Sequence, residues 1–294
     1  MNQRCQNKMK TLREHIKEAE EKKVAIGHFN ISNLEGFWAV VNAAKNLKLP
    51  VIIGVSEGER DFVGIRQVKA LVDTMKNIGL PVFLNADHTY SVERVKEVVD
   101  AHFDAVIIDG AEKSFDENLK MTKESVAYRD SANKEIIIEG ELGFIGKSSK
   151  ILDVLPEGAE VSKDNITKAD EARDFVQATL VDLFAPAVGN IHGMVKSGNP
   201  KLNIERIKEI REAAGVPLVL HGGSGITDEE FRQAITAGIS IIHINTEIRL
   251  AYKQALQKSL TENRDEIAPY KYLKPAIQAM QAVIEHRLSL FNNL

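Results

Sequence analysis

Three histidines each close or follow an apolar run: His88 ends "VFLNADH", His192 follows "FAPAVGN" and His221 ends "PLVLH". A borderline-soft cation such as zinc accepts three imidazoles and keeps a fourth position for substrate. No short-range metal motif joins the three, so only a fold that gathers strand ends can unite them. Otherwise they are isolated polar residues at a rim. His15, His102 and His286 fall in helix-like stretches, and His28 lies near the end of the first apolar run. Asp87 immediately precedes His88. A carboxylate there can exchange a proton with a cation-bound substrate, orient a ligand, or cap the following "SVERVKEVV" helix. Asp109 ends "DAVIIDG" and suits either structure or substrate positioning. Glu139 and Glu141 are two apart and share one face of a regular strand. Such a pair could hold a cation, orient water or meet a basic neighbour. Glu141, nearer the strand end, is the candidate for catalysis.

A second kind of chemistry follows His221. The stretch "HGGSG" supplies Gly222, Gly223, Ser224 and Gly225, and "INTE" adds Asn245 and Thr246. Bare backbone N–H groups and hydroxyls suit a phosphate, although a tight turn would also explain the glycines. The Gly-x-x-x-x-Gly-Lys-Ser/Thr loop and the dinucleotide Gly-x-Gly-x-x-Gly are both absent.

These residues need elements to position them. Eight short β-branched or apolar runs recur at 24–31, 51–56, 82–88, 104–110, 135–143, 181–190, 217–223 and 240–246. Most lack polar alternation, as strands covered on both faces do. Charged, helix-periodic segments separate them, including 91–103, 203–215 and 227–238, the last opening with the capping pair Thr227 and Glu230. Eight strands with intervening helices predict an α/β fold, a (β/α)8 TIM barrel, in which strand C-termini share one rim. A doubly wound open sheet is the alternative. One domain over 1–294 is expected, with a barrel core of about 24–262 and extra N- and C-terminal helices. The longest interruption, from Phe144, is polar and could cover a site. Barrel loops after the seventh and eighth strands often bind phosphate, which is where "HGGSG" and "INTE" fall.

Composition narrows the function classes. A net charge of −4 offers no overall basic surface for nucleic acid. The single cysteine, Cys5, allows no internal disulfide, and the charged first residues lack an apolar signal core. No run approaches the roughly 20 apolar residues of a membrane span. A cytoplasmic protein without nucleic-acid or membrane partners is expected.

The ordered pieces "HFNISNLE" (28–35), "ADH" (86–88), "DG" with "FDEN" (109–118), "EGELGFIG" (139–146), "NIHGMVK" (190–196), "PLVLHGGSG" and "INTE" resemble the class II fructose-bisphosphate and tagatose-bisphosphate aldolases. The resemblance implies a zinc-dependent barrel, with a monovalent cation as a further cofactor, acting in cytoplasmic glycolysis as a homodimer or homotetramer. The reaction implied is reversible cleavage of fructose 1,6-bisphosphate to dihydroxyacetone phosphate and glyceraldehyde 3-phosphate. His88, His192 and His221 match the family's metal ligands, and Asp87 its proton-transferring carboxylate. Gly193, Gly222, Ser224, Asn245 and Thr246 match its ketose-phosphate contacts, and Asn30 and Ser56 its substrate lining. Gly223, His243 and Lys196 are added as substrate contacts, Lys196 for its charge beyond the metal ligand. Departures are Thr89 for the glycine after Asp–His, Met194 for a tyrosine, His243 for an asparagine, and Asn245 for an aspartate or alanine. An acidic cluster after the Glu-Leu-Gly segment is missing, with Lys147 and Lys150 nearby instead. Tagatose 1,6-bisphosphate or another ketose bisphosphate is the alternative substrate. A sugar-phosphate sensor without turnover, and a scaffold using only the barrel surface, are the non-enzymatic alternatives.

Overall fold

The apolar runs become the staves of a closed parallel barrel. The computed structural model describes residues 9–146, 150–154 and 166–294; Cys5 and Lys147 lie outside them. In chain order the strands are β1 (Ile26–Asn30), β2 (Val51–Val55), β3 (Val82–Thr89), β4 (Ala105–Ile108), β5 (Ile137–Leu142), β6 (Ile151–Leu152), β7 (Leu183–Pro186), β8 (Met194–Val195), β9 (Leu218–Leu220) and β10 (Ile239–Ile244). Eight of them close in the order β1-β10-β9-β7-β5-β4-β3-β2, the expected TIM barrel. The helices are α1 (Leu12–Lys22), α2 (Leu34–Leu47), α3 (Glu57–Val63), α4 (Ile65–Asn77), α5 (Val92–Asp100), α6 (Phe115–Ala132), α7 (Ala169–Thr179), α8 (Ile204–Ala214), α9 (Asp228–Ala237), α10 (Thr246–Glu262), α11 (Pro269–Tyr272) and α12 (Lys274–Phe291). The Thr227–Glu230 capping box opens α9 as its sequence suggests.

Two buried clusters make up most of the core. A large cluster, including Phe37, Val68, Phe103, Phe175 and Phe231, fills the space between strands and helices. A smaller one lies at the lower end of the barrel, where Leu12, Ile16 and Ala19 of α1 pack against Ile26, Ile52, Phe83, Ile137, Leu183, Val219 and Ile241. The N-terminal helix therefore plugs the mouth opposite the strand C-termini. Side chains two positions along each strand share its face. From Ile26, Phe83, Ile137, Val219 and Ile241, that step reaches His28, Asn85, Glu139, His221 and His243, all buried. One further step reaches Asn30, Asp87, Glu141 and Asn245. The interior thus changes from apolar to polar toward the C-terminal rim.

Several boundaries differ from the sequence reading. The run 181–190 shortens to Leu183–Pro186, because Gly189 bends the chain with φ of 106° and the Val188 N–H turns to the Asn190 side chain. Thr246 belongs to α10, not to the last strand. His102 lies outside the helix expected over 91–103. Helix α5 stops at Asp100, and His102 takes φ of 57° as the chain turns Phe103 into the core. A small parallel sheet of β6 and β8 was not foreseen. It ties part of the segment after β5 to the chain just beyond His192.

Candidate functional site

His88 is aimed by a break in regular pairing. The β3–β4 register shifts between Ala86 and Thr89, and His88 adopts φ of 33°. Such bulges re-aim side chains near active sites. His88 Nε2 consequently lies 3.2 Å from His192 Nε2 and 3.2 Å from His221 Nδ1. Each remaining ring nitrogen faces an acceptor. His88 Nδ1 donates to Asp109 at 2.8 Å, His192 Nδ1 to the Gly146 carbonyl at 2.6 Å, and His221 Nε2 to Glu139 at 2.7 Å. Those outward partners set the tautomers and leave three lone pairs converging on one point. Zinc–nitrogen bonds of about 2.0–2.1 Å in a tetrahedral site place nitrogens roughly 3.3 Å apart. The geometry therefore fits a cation here, which His88, His192 and His221 could hold.

The surrounding charge favours the same occupant. Burial opposes a positive charge on His88, yet Asp87, Asp109 and Glu141 outweigh it and raise its pKa to about 10. A negative field that holds a proton also holds a cation. Burial, reinforced by the two other histidines, lowers His192 to about 3, so it presents a neutral ring. Burial and then Asp109 push Glu141 up to about 8. Asp87 behaves oppositely: burial opposes its ionisation, but His88 and His243 hold its carboxyl well below the usual range. Its Oδ2 accepts from Asn30 Nδ2 at 2.9 Å. Among the described residues, no hydrogen bond reaches Oδ1. An ionised carboxylate with one free oxygen is suited to take a proton.

The glycine loop has a defined structural use. A Cβ on Gly222, which has φ of 61°, would come within 2.2 Å of the Ile191 carbonyl. One on Gly223 would come within 2.7 Å of the His243 carbonyl. Bare backbone lets the loop wedge between the His192 segment and β10. Ser224 Oγ accepts from the N–H groups of Asn245 at 3.4 Å and Glu247 at 3.2 Å. Both acceptor positions of the hydroxyl are thereby used, and its O–H remains to be donated to a ligand. The N-terminus of α10, 17 residues long, also favours an anion here.

One pocket collects nearly every candidate. Asn30, Ser56, Asp87, His88 and Glu141 line it on one side, and His192, Gly193, Gly222, Gly223, Ser224, His243, Asn245 and Thr246 on the other. His221 is buried directly beneath. Lys196 is not brought in: it stands exposed beyond β8 and pairs with Asp153 at 2.6 Å. Asp109 and Glu139 act by orienting His88 and His221. Among the lining residues that the sequence reading did not single out are Tyr90 and Arg249. Arg249 lies three positions after Thr246, one turn along α10, which is the signal that could have found it. Its guanidinium pairs with Glu59.

Comparisons with known proteins converge on one family. The family model described as "Fructose-bisphosphate aldolase class-II" matches residues 10–294. The fructose-bisphosphate aldolase of Geobacillus stearothermophilus is 36% identical over 288 residues, covering 96% of each chain. The solved structure of the YdjI aldolase from Escherichia coli K12 is 30% identical, with a TM-score of 0.79 over 96% of this chain and 97% of that one. A fructose-bisphosphate aldolase from Campylobacter jejuni, 21% identical, shares the fold with a TM-score of 0.80, covering 96% and 94%.

Proposed function

The chain belongs to the class-II fructose-bisphosphate aldolase family, whose members are aldehyde-lyases, and from that premise we propose a specific reaction and site. The reaction is reversible cleavage of fructose 1,6-bisphosphate to dihydroxyacetone phosphate and glyceraldehyde 3-phosphate, with zinc on His88, His192 and His221. The observation that carries the reading is the convergence of three imidazole lone pairs beside the free oxygen of Asp87. Bound there, the cation supplies Lewis-acid polarisation of the substrate's ketone oxygen.

The chain's own groups handle the rest. Asp87 Oδ1 takes the proton of the C4 hydroxyl. The O–H electron pair becomes the new aldehyde bond, the C3–C4 bond breaks, and its electrons stay with the ketose-derived half. Condensation returns the proton along the same path. Glu141, which lines the pocket and whose pKa burial and Asp109 raise, is the group we assign to exchange a proton with the ketose-derived carbon. Ser224, Gly223 and the start of α10 receive the phosphate of that half. Arg249 offers a cation for the far phosphate.

Tagatose 1,6-bisphosphate, the C4 epimer, is the second reading. His243 and Asn245 line the pocket where the resemblance implies asparagine and an acid or alanine, so both substrates are to be compared. On family grounds we extend the proposal to a cytoplasmic, glycolytic homodimer or homotetramer. A coupled assay of triose-phosphate release from both bisphosphates tests the reaction. Release from fructose 1,6-bisphosphate with the higher kcat/KM is expected. Turnover of neither, with zinc bound, would leave a sensor.

A further inference from the structure

Two buried histidines remain unused by this chemistry. His28 on β1 and His243 on β10 are register partners in adjacent strands, and their rings stack with centroids 3.5 Å apart and planes 5° from parallel. The row continues on both sides. A Cβ on Gly54 of β2 would come within 2.1 Å of His28 Cε1, so that glycine makes room for the ring. His243 in turn stacks on His221, with centroids 4.1 Å apart. The Asn85 amide donates to His28 Nε2 at 3.1 Å, which fixes the ring's rotation and tautomer. Burial holds both rings neutral, His28 near 4 and His243 well below its ordinary value. Neutral rings can stack this closely without charge repulsion.

The geometry speaks against a second cation shared by the pair. Imidazole lone pairs lie in the ring plane, and two stacked, near-parallel planes do not meet at one ion. What the pair does reach is Asp87. His243 Nδ1 lies 3.4 Å from Asp87 Oδ1, while Asn30 holds Oδ2 from the other side. That contact is long for a hydrogen bond. It directs Oδ1 while leaving it free to accept.

We infer that His243 is a positioning residue for Asp87 and that His28, wedged between Gly54 and His243, holds it there. The inference rests on the reading of Asp87 as the base. It replaces the expectation that His243 serves mainly as a substrate contact. A carboxylate that can swivel spends less time aligned with the hydroxyl it must deprotonate. A misplacement on the order of 1 Å can cost about a hundredfold in rate.

The test uses His28, which does not line the pocket. Three quantities are measured on zinc-loaded protein: fructose 1,6-bisphosphate cleavage, bound zinc, and exchange of the α-hydrogen of dihydroxyacetone phosphate into deuterated solvent. The exchange half-reaction needs the cation but not Asp87. His28→Ala should lower kcat for cleavage by between about tenfold and a hundredfold, with KM, zinc content and exchange unchanged. His28→Gln, whose flat amide can still stack and accept from Asn85, should recover most of the loss. Gly54→Ala, pressing the ring from the far side, should reproduce the defect and stands in if His28→Ala fails to fold. Wild-type cleavage in both His28→Ala and Gly54→Ala overturns the inference, as does cleavage falling in parallel with exchange. Asp87→Ala separates the two readings. If it cleaves normally, the role of Asp87 is wrong. If it loses cleavage while His28→Ala keeps it, only the positioning is wrong.

Discussion

At the scale of single residues, the decisive feature is which nitrogen of each histidine is already occupied. Asp109, the Gly146 carbonyl and Glu139 take the outward N–H groups, so the inward nitrogens are the ones left to face a cation, which would displace the proton that the surrounding acids hold on His88. His88→Ala, His192→Ala and His221→Ala should each lose most bound zinc and activity while circular dichroism still reports a folded barrel. Asp87→Ala should keep its zinc and lose about 10²–10⁴ in cleavage rate. Metal analysis beside kcat separates the two classes, and a parallel loss of zinc in Asp87→Ala would make Asp87 structural. The histidines were legible because each follows an apolar run. The partners of their outer nitrogens were not, since which acid meets which imidazole depends on strand register. Lys196 misled for the reverse reason: its sequence neighbour His192 turns inward, while its own side chain is drawn outward to Asp153.

At the scale of elements, the site depends on where regular structure stops. Eight apolar runs were enough to read the barrel, because strands covered on both faces need no polar alternation. The β3 bulge and the β6–β8 pair were illegible. They arise from contacts between distant segments, and no local residue pattern announces them. The glycine loop lay between these cases. Its residue types suggested phosphate, but only the structure shows Ser224 Oγ already accepting from the first turn of α10. Ser224→Ala should weaken bisphosphate binding and leave zinc occupancy intact. A hydrogen bond to a charged group contributes about 1.5–3 kcal/mol, which bounds the loss. Titration calorimetry against an analogue lacking the ketose-side phosphate checks it. Equal weakening for both ligands would indicate general disruption of the loop.

At the scale of the whole molecule, the two mouths of the barrel differ: one is closed by apolar packing and the other holds the polar site. Helix α1 plugs the lower mouth with Leu12, Ile16 and Ala19, and Arg13 ties it to Asp182 just before β7. Asp182 accepts from Arg13 at 2.7 Å, from the Ile138 N–H at 2.8 Å, and from Arg129. Burial opposes its charge, but these bonds outweigh burial and depress its pKa. Unfolded, the group titrates near about 3.9. Its contribution to stability is therefore complete above that pH and fades as pH falls toward the depressed folded value. Urea unfolding from pH 6 downward should show this acid-dependent loss. Asp182→Asn should be less stable at pH 6 and lack that part of the pH dependence. An identical pH slope in both proteins would remove Asp182 from the linkage. The central claim concerns the other mouth, where three imidazoles and Asp87 form one metal-dependent lyase centre. Its most direct test is fructose 1,6-bisphosphate cleavage by protein stripped with EDTA, verified metal-free, and then titrated with zinc. Activity should vanish on stripping and return in proportion to zinc up to one ion per chain, and borohydride added with substrate should trap no protein adduct. Full turnover by the metal-free protein would contradict it.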